Sequence, residues 1–104
     1  MQAFLEEKRE AIAELCRTHH VRRLSVFGSA VREDFDPARS DVDFLVEFRD
    51  LKPGTREFFR NYVELEEQFV RLLQRNVDLV RKGVIENPYI LRSIEQDKRE
   101  LYAA

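Results

Sequence analysis

Between Val26 and Phe48 the chain reads VFGSAVREDFDPARSDVDFLVEF, and its second half alternates with the period of an extended strand. Successive side chains of a strand point to opposite faces. Val42, Phe44, Val46 and Phe48 therefore line one face, while Asp41, Asp43, Leu45 and Glu47 line the other. The first is a core face. The second opens with two carboxylates one strand repeat apart, a poor start for a core and a good way to hold a divalent metal. Upstream, Arg22 to Phe27 reads as a strand ended by Gly28. Ser29 can cap a short helix reaching about Glu33, because its hydroxyl can accept a bond from an otherwise free amide. Asp34 to Ser40 contains Pro37 and reads as a loop.

The flanking segments supply the layers that such a pair of strands needs. Ala3 to His19 predicts a helix with an apolar stripe of Leu5, Ile12, Leu15 and Cys16. Thr55 to Gln74 predicts a long helix, on which Phe58, Phe59, Tyr62, Leu65, Phe69, Leu72 and Leu73 form a wide core face. Asn76 to Arg81 predicts a third strand. Asn87-Pro88 is an N-cap followed by proline in the first turn, and the helix it starts carries Ile90, Leu91, Ile94 and Leu101. The expected fold is α/β (α+β), in the order α-β-α-β-α-β-α, with a small mixed sheet of about three strands. Residues 1–104 are expected to form one domain.

Composition excludes several classes. The charged fraction is 37% but the net charge is only -2, which argues against a broad basic surface for nucleic acid. No apolar run approaches the length that spans a bilayer. The amphipathic, acidic start MQAFLEEKRE does not read as a signal peptide. Cys16 is the sole cysteine, so an intrachain disulfide or a cysteine metal cluster is impossible. It reads as a small core residue on the helix stripe. A cytoplasmic location is expected.

Topology brings the polar residues together. If the first two strands are antiparallel neighbours, Gly28-Ser29 lies beside Asp41 and Asp43. The long helix is a crossover, so the third strand should run parallel to the second, carrying Asp78 to the same end. Magnesium takes oxygen ligands, commonly a few carboxylates with phosphate oxygens and water, and a pair of such ions can clamp an in-line phosphoryl displacement. Glycine admits a phosphate to the backbone, Ser29 can donate its hydroxyl, and the following helix start offers free amides. Asp-x-Asp alone is common in loops and calcium sites, and Gly-Ser alone is ordinary turn chemistry. Their order and strand placement together describe a nucleotidyl transfer site. Glu47, further along the acidic face, reads as a solvated or salt-bridged residue.

The stretch GSAVREDFDPARSDVDFLVEF resembles the signature of the DNA polymerase β-like nucleotidyltransferase superfamily, Gly-Ser, about ten residues, then Asp-x-Asp. The shortness of the chain makes it similar to the minimal nucleotidyltransferases, the MNT proteins. VDLV at Val77 to Val80 matches the usual third acid, and NPYILRSIEQDKRELY resembles the closing helix. Glu33 stands where many relatives carry glycine, and eleven residues separate Ser29 from Asp41. The resemblance implies that Gly28 and Ser29 hold the β- and γ-phosphates of ATP. It implies that Asp41 and Asp43 bind two magnesium ions, and that Asp78 binds the one activating the incoming hydroxyl. Arg32 and Arg39 could neutralise phosphate charge.

MNT proteins of this length are typically antitoxins paired with a HEPN-domain RNase toxin. The resemblance thus implies a protein adenylyltransferase that moves AMP from ATP to a tyrosine of its cognate toxin. Alternatives are an antitoxin that acts by stoichiometric binding, and a small-molecule nucleotidyltransferase. The implied partners are the toxin and ATP, without direct nucleic acid or membrane contact. A homo- or hetero-oligomer is compatible with the sequence.

Overall fold

The computed structural model describes residues 1–32, 35–36, 38 and 40–104. Its elements are α1 (Ala3–Glu7), α2 (Arg9–Thr18), β1 (Val21–Phe27), a 3-10 turn (Gly28–Val31), β2 (Val42–Phe48), α3 (Arg56–Leu73), β3 (Val77–Arg81), α4 (Pro88–Asp97) and β4 (Arg99–Ala103). The four strands form one sheet in the order β3-β2-β1-β4. β1 is antiparallel to β2 and to β4, whereas β2 and β3 are parallel, as the α3 crossover requires.

The alternation of β2 decides the core. Val42, Phe44 and Val46 are fully buried, together with Leu24 and Val26 of β1, and Val77 and Leu79 of β3 are buried beside them. Leu5, Ile12 and Cys16 from the N-terminal helices and Leu65, Phe69 and Leu73 from α3 complete one apolar cluster with them. Phe44 meets Phe69 edge-on, with ring centroids 4.9 Å apart. Burial pushes the Cys16 thiol up to about 12, so it is a packing residue and not a nucleophile at neutral pH. α3 begins at Thr55, whose Oγ1 accepts from the Phe58 amide, and ends at Gln74 in the left-handed conformation. No helix among the described residues is long and apolar enough to cross a membrane.

Four expectations are corrected. The N-terminal helix is broken at Lys8 into α1 and α2. Neither glycine nor proline stands there; tertiary contacts bend it, with Phe4 against Phe35 and Arg9 donating to the Glu100 carbonyl at 3.0 Å. The closing helix stops at Asp97, and Leu101 lies in a fourth strand. Its spacing from Ile94 suits a helix, but the open edge of β1 captures the segment as β4. Phe59 is 69% exposed and off the core face of α3, and Ile94 is the only buried residue of α4. The segment after Gly28 is a 3-10 turn capped at Phe27 without any side-chain bond, so Ser29 is no N-cap.

This packing predicts a contrast on one helix. Phe69→Ala should lower the unfolding free energy by about 3–5 kcal/mol in urea titrations. Phe59→Ala, ten residues earlier on the same helix, should stay within about 0.5 kcal/mol of wild type.

Candidate functional site

Strand register, more than any local motif, builds the polar site. Phe27 pairs with Asp43 across β1 and β2, and Asp43 pairs with Asp78 across β2 and β3. Gly28 follows Phe27 directly, so one row across the sheet carries the turn and two of the acids. Asp41 precedes β2 by one residue and is exposed; Asp43 is half-buried and Asp78 exposed.

Gly28 has φ +73°, a left-handed conformation that favours glycine. It also has no room for a side chain, because a Cβ there would lie 2.6 Å from Asp43 Oδ2. The turn backbone is therefore pressed against the central carboxylate. The Asp43 carboxyl is pushed up to about 6, first by burial, then by the charges of Asp78 and Asp41, with Arg32 opposing. Asp41, Asp78 and the Arg32 guanidinium thus each act on Asp43. Arg32 Nη1 is also 3.2 Å from Asp97 Oδ2, at the C-terminal end of α4.

Among the described residues, no three histidine, cysteine, aspartate or glutamate side chains are grouped so as to hold a metal ion by themselves. A cation here would draw some of its ligands from these carboxylates and the rest from phosphate and water, as magnesium does. The donor set fits such a group: Asp43 carries an ionisation cost that a nearby cation would relieve. Glu47 is drawn away into an ion pair with Lys82 at 3.7 Å, as expected for a residue outside the site. Arg39 and Glu33 lie outside the described residues.

Two supporting residues escaped the sequence reading. The Gln2 amide donates to the Ala30 carbonyl at 3.2 Å, and its Nε2 donates to the Arg32 carbonyl at 3.1 Å. Asp97 pairs with Arg32. Neither has a local signal, since the contacts span 30 and 65 residues of chain. Tyr62 packs against the core from α3, and its hydroxyl donates to the Leu79 carbonyl, anchoring β3 one residue past Asp78. Its pKa is raised, chiefly by burial.

A family model described as a nucleotidyltransferase domain matches residues 8–101. The chain belongs to the nucleotidyltransferase domain family. A Methanocaldococcus jannaschii protein named for a proposed protein adenylyltransferase activity is 44% identical over 79 residues, covering 76% of this chain and 74% of the relative. A solved structure described as a proposed minimal nucleotidyltransferase superposes with a TM-score of 0.71 at 28% identity, covering 91% and 90% of the two chains. The fold is also that of a chain in the complex of a tri-AMPylated Shewanella oneidensis HEPN toxin with its MNT antitoxin, with a TM-score of 0.64 at 18% identity and coverage of 95% and 72%. The minimal nucleotidyltransferase fold expected from the sequence is the one observed, with a fourth strand.

Two predictions follow from the crowding at Asp43. Its folded-state pKa of about 6 exceeds the ordinary value of 3.8, so between about pH 4 and pH 6 the folded protein binds more protons than the unfolded chain. This contribution to stability is present below about pH 4 and is lost as pH rises through 6. Without divalent cations, Asp43→Asn should melt above wild type at pH 7 to 8, and the gap should close towards pH 4 in thermal scans. Gly28→Ala should lose about 1 kcal/mol or more from backbone strain alone, with further loss from displacing the Asp43 carboxylate; urea denaturation would measure both.

Proposed function

We propose that this nucleotidyltransferase is a protein adenylyltransferase, the antitoxin of a HEPN/MNT pair, moving AMP from ATP to a tyrosine of its cognate HEPN RNase toxin. The observation that carries the reading is the close approach of Gly28 to Asp43. It sets a side-chain-free turn against a carboxylate in register with a second acid. In this reading Gly28 admits the triphosphate to the backbone, and the Ser29 hydroxyl donates to a phosphate oxygen. Arg32 offsets negative charge from a position fixed by Asp97 and Gln2. Arg39, which follows the same turn in sequence, is assigned the same charge role. Asp41, Asp43 and Asp78 would hold magnesium, which when bound would neutralise the triphosphate and activate the attacking hydroxyl.

The tyrosine oxygen bonds to the α-phosphorus, the bond to the β-phosphate oxygen breaks, and pyrophosphate leaves with the electron pair. The phenolic proton is released. A macromolecular acceptor suits the shape of the site. Asp41 and Asp78 are exposed beside the half-buried Asp43, so a partner protein can present a side chain to them and cover the reaction with its own surface. The similarity to a protein named for adenylyl transfer to protein supports the same acceptor class.

Asp41→Asn with Asp43→Asn keeps side-chain size and removes the charges that hold magnesium. At substoichiometric amounts wild type should modify all of the toxin with ATP and magnesium, seen by intact mass, while the double variant leaves it unmodified and active. Protection by both proteins with no adduct on either toxin would replace this reading with neutralisation by binding. Ser29→Ala should slow AMP transfer by about 10²–10³ with the fold intact, measured as initial rate.

A further inference from the structure

Arg75 takes no part in the chemistry above, and its surroundings are unusual. It lies between α3 and β3, with its guanidinium carbon 4.0 Å from the ring centroid of Phe4 and 5.5 Å from that of Phe35. The two rings are 5.6 Å apart. Nε donates to the Leu73 carbonyl at 3.3 Å, while the buried Nη1 finds no hydrogen-bond partner among the described residues. A buried donor without an acceptor is costly, and an apolar side chain would fill a gap between two rings at lower cost. Core packing alone gives no reason for arginine here.

What the stack holds is Phe35, the one large apolar side chain between Val31 and Val42. It is only 9% exposed and belongs to the main core cluster. The next residue, Asp36, is hydrogen-bonded to Ala38 and Ser40. Its amide donates to Ser40 Oγ at 3.0 Å, its carboxylate accepts from the Ala38 amide at 3.0 Å, and its carbonyl accepts from the Ser40 amide at 2.7 Å. Asp41 follows at once. Val42 then donates to the Asn76 carbonyl at 3.1 Å, one residue from Arg75. On the other side, Gln2 holds the Ala30 and Arg32 carbonyls two residues before Phe4. Phe4, Phe35 and Arg75 thus form the joint between the phosphate turn and the first acid.

We propose that Arg75 is a positioning residue for nucleotide binding: stacked on Phe4 and Phe35, it fixes Phe35, and through Asp36 and Ser40 the approach to Asp41. It thereby sets how far the phosphate-holding half of the site stands from the metal-holding half. The proposal rests on the nucleotidyl transfer reading of that site. A guanidinium suits the task because its plane stacks on aromatic faces.

The test is ATP binding with magnesium to the full chain by calorimetry, without acceptor, beside thermal melts and transfer kinetics. Arg75→Met should remain folded and bind ATP about tenfold more weakly, the loss of one buried cation–π stack. The KM for ATP should rise while the KM for the acceptor protein holds. Arg75→Lys should recover part of the affinity, since an ammonium also sits over a ring. Phe35→Ala should weaken ATP to a similar degree, and the double variant should be no weaker than either single one, because both act through one contact. ATP affinity like wild type in Arg75→Met, with or without a lower melting temperature, would overturn the proposal, as would losses that multiply in the double variant. Should Arg75→Met not fold, Arg75→Lys and Phe35→Ala carry the same comparison. A wild-type protein that binds no ATP would sink the nucleotidyl transfer reading and this inference together; bound ATP undiminished by the variants would sink this inference alone.

Discussion

Carboxylates gathered at one end of a sheet repel one another, and the rest of this structure serves to keep them together. Asp43 bears the cost of its burial and of that repulsion, half-buried between β1 and β3 with Asp78 beside it in register and Asp41 two residues before it. Such an arrangement opposes folding at neutral pH. It persists because β2 is fastened on both flanks and buries Val42, Phe44 and Val46 completely beneath α2 and α3. The core face of β2 supplies the stabilisation that its acidic face removes. A site whose ionised form is uncomfortable alone is prepared to receive positive charge.

The Gly28–Val31 turn is held by the same economy of contacts. Gly28 has neither the backbone conformation nor the space for any other residue. Gln2 braces the turn through two carbonyls, and Asp97 holds Arg32. Both braces come from the ends of the chain, so the two terminal elements serve the central motif. α4, with only Ile94 buried, contributes through its C-terminal end more than through its apolar surface.

Helical periodicity misled the reading where a strand edge lay open to be covered. Leu101 follows Ile94 at a spacing that suits a continued helix, yet it is 5% exposed in β4 against β1. Pairing between residues about 75 positions apart, such as Leu24 with Tyr102, leaves no trace in local pattern. The break at Lys8 has the same character: the residues themselves favour helix, and contacts of Phe4 and Arg9 elsewhere bend it.

The sequence by itself determined which residues could do chemistry and which face each occupied. Alternation from Asp41 to Phe48 separates acids from core, Gly28-Ser29 ends a strand, and the α3 crossover forces β3 parallel to β2, because local sterics and a period of two settle those matters. Tertiary structure alone decided how the acids meet. The pairing of Phe27 with Asp43 and of Asp43 with Asp78, the 2.6 Å clearance at Gly28, and the stack of Arg75 on Phe4 and Phe35 depend on register and on contacts between distant segments. Such contacts form only once the chain has collapsed, since the entropy of closing long loops is offset by packing and not by any local preference.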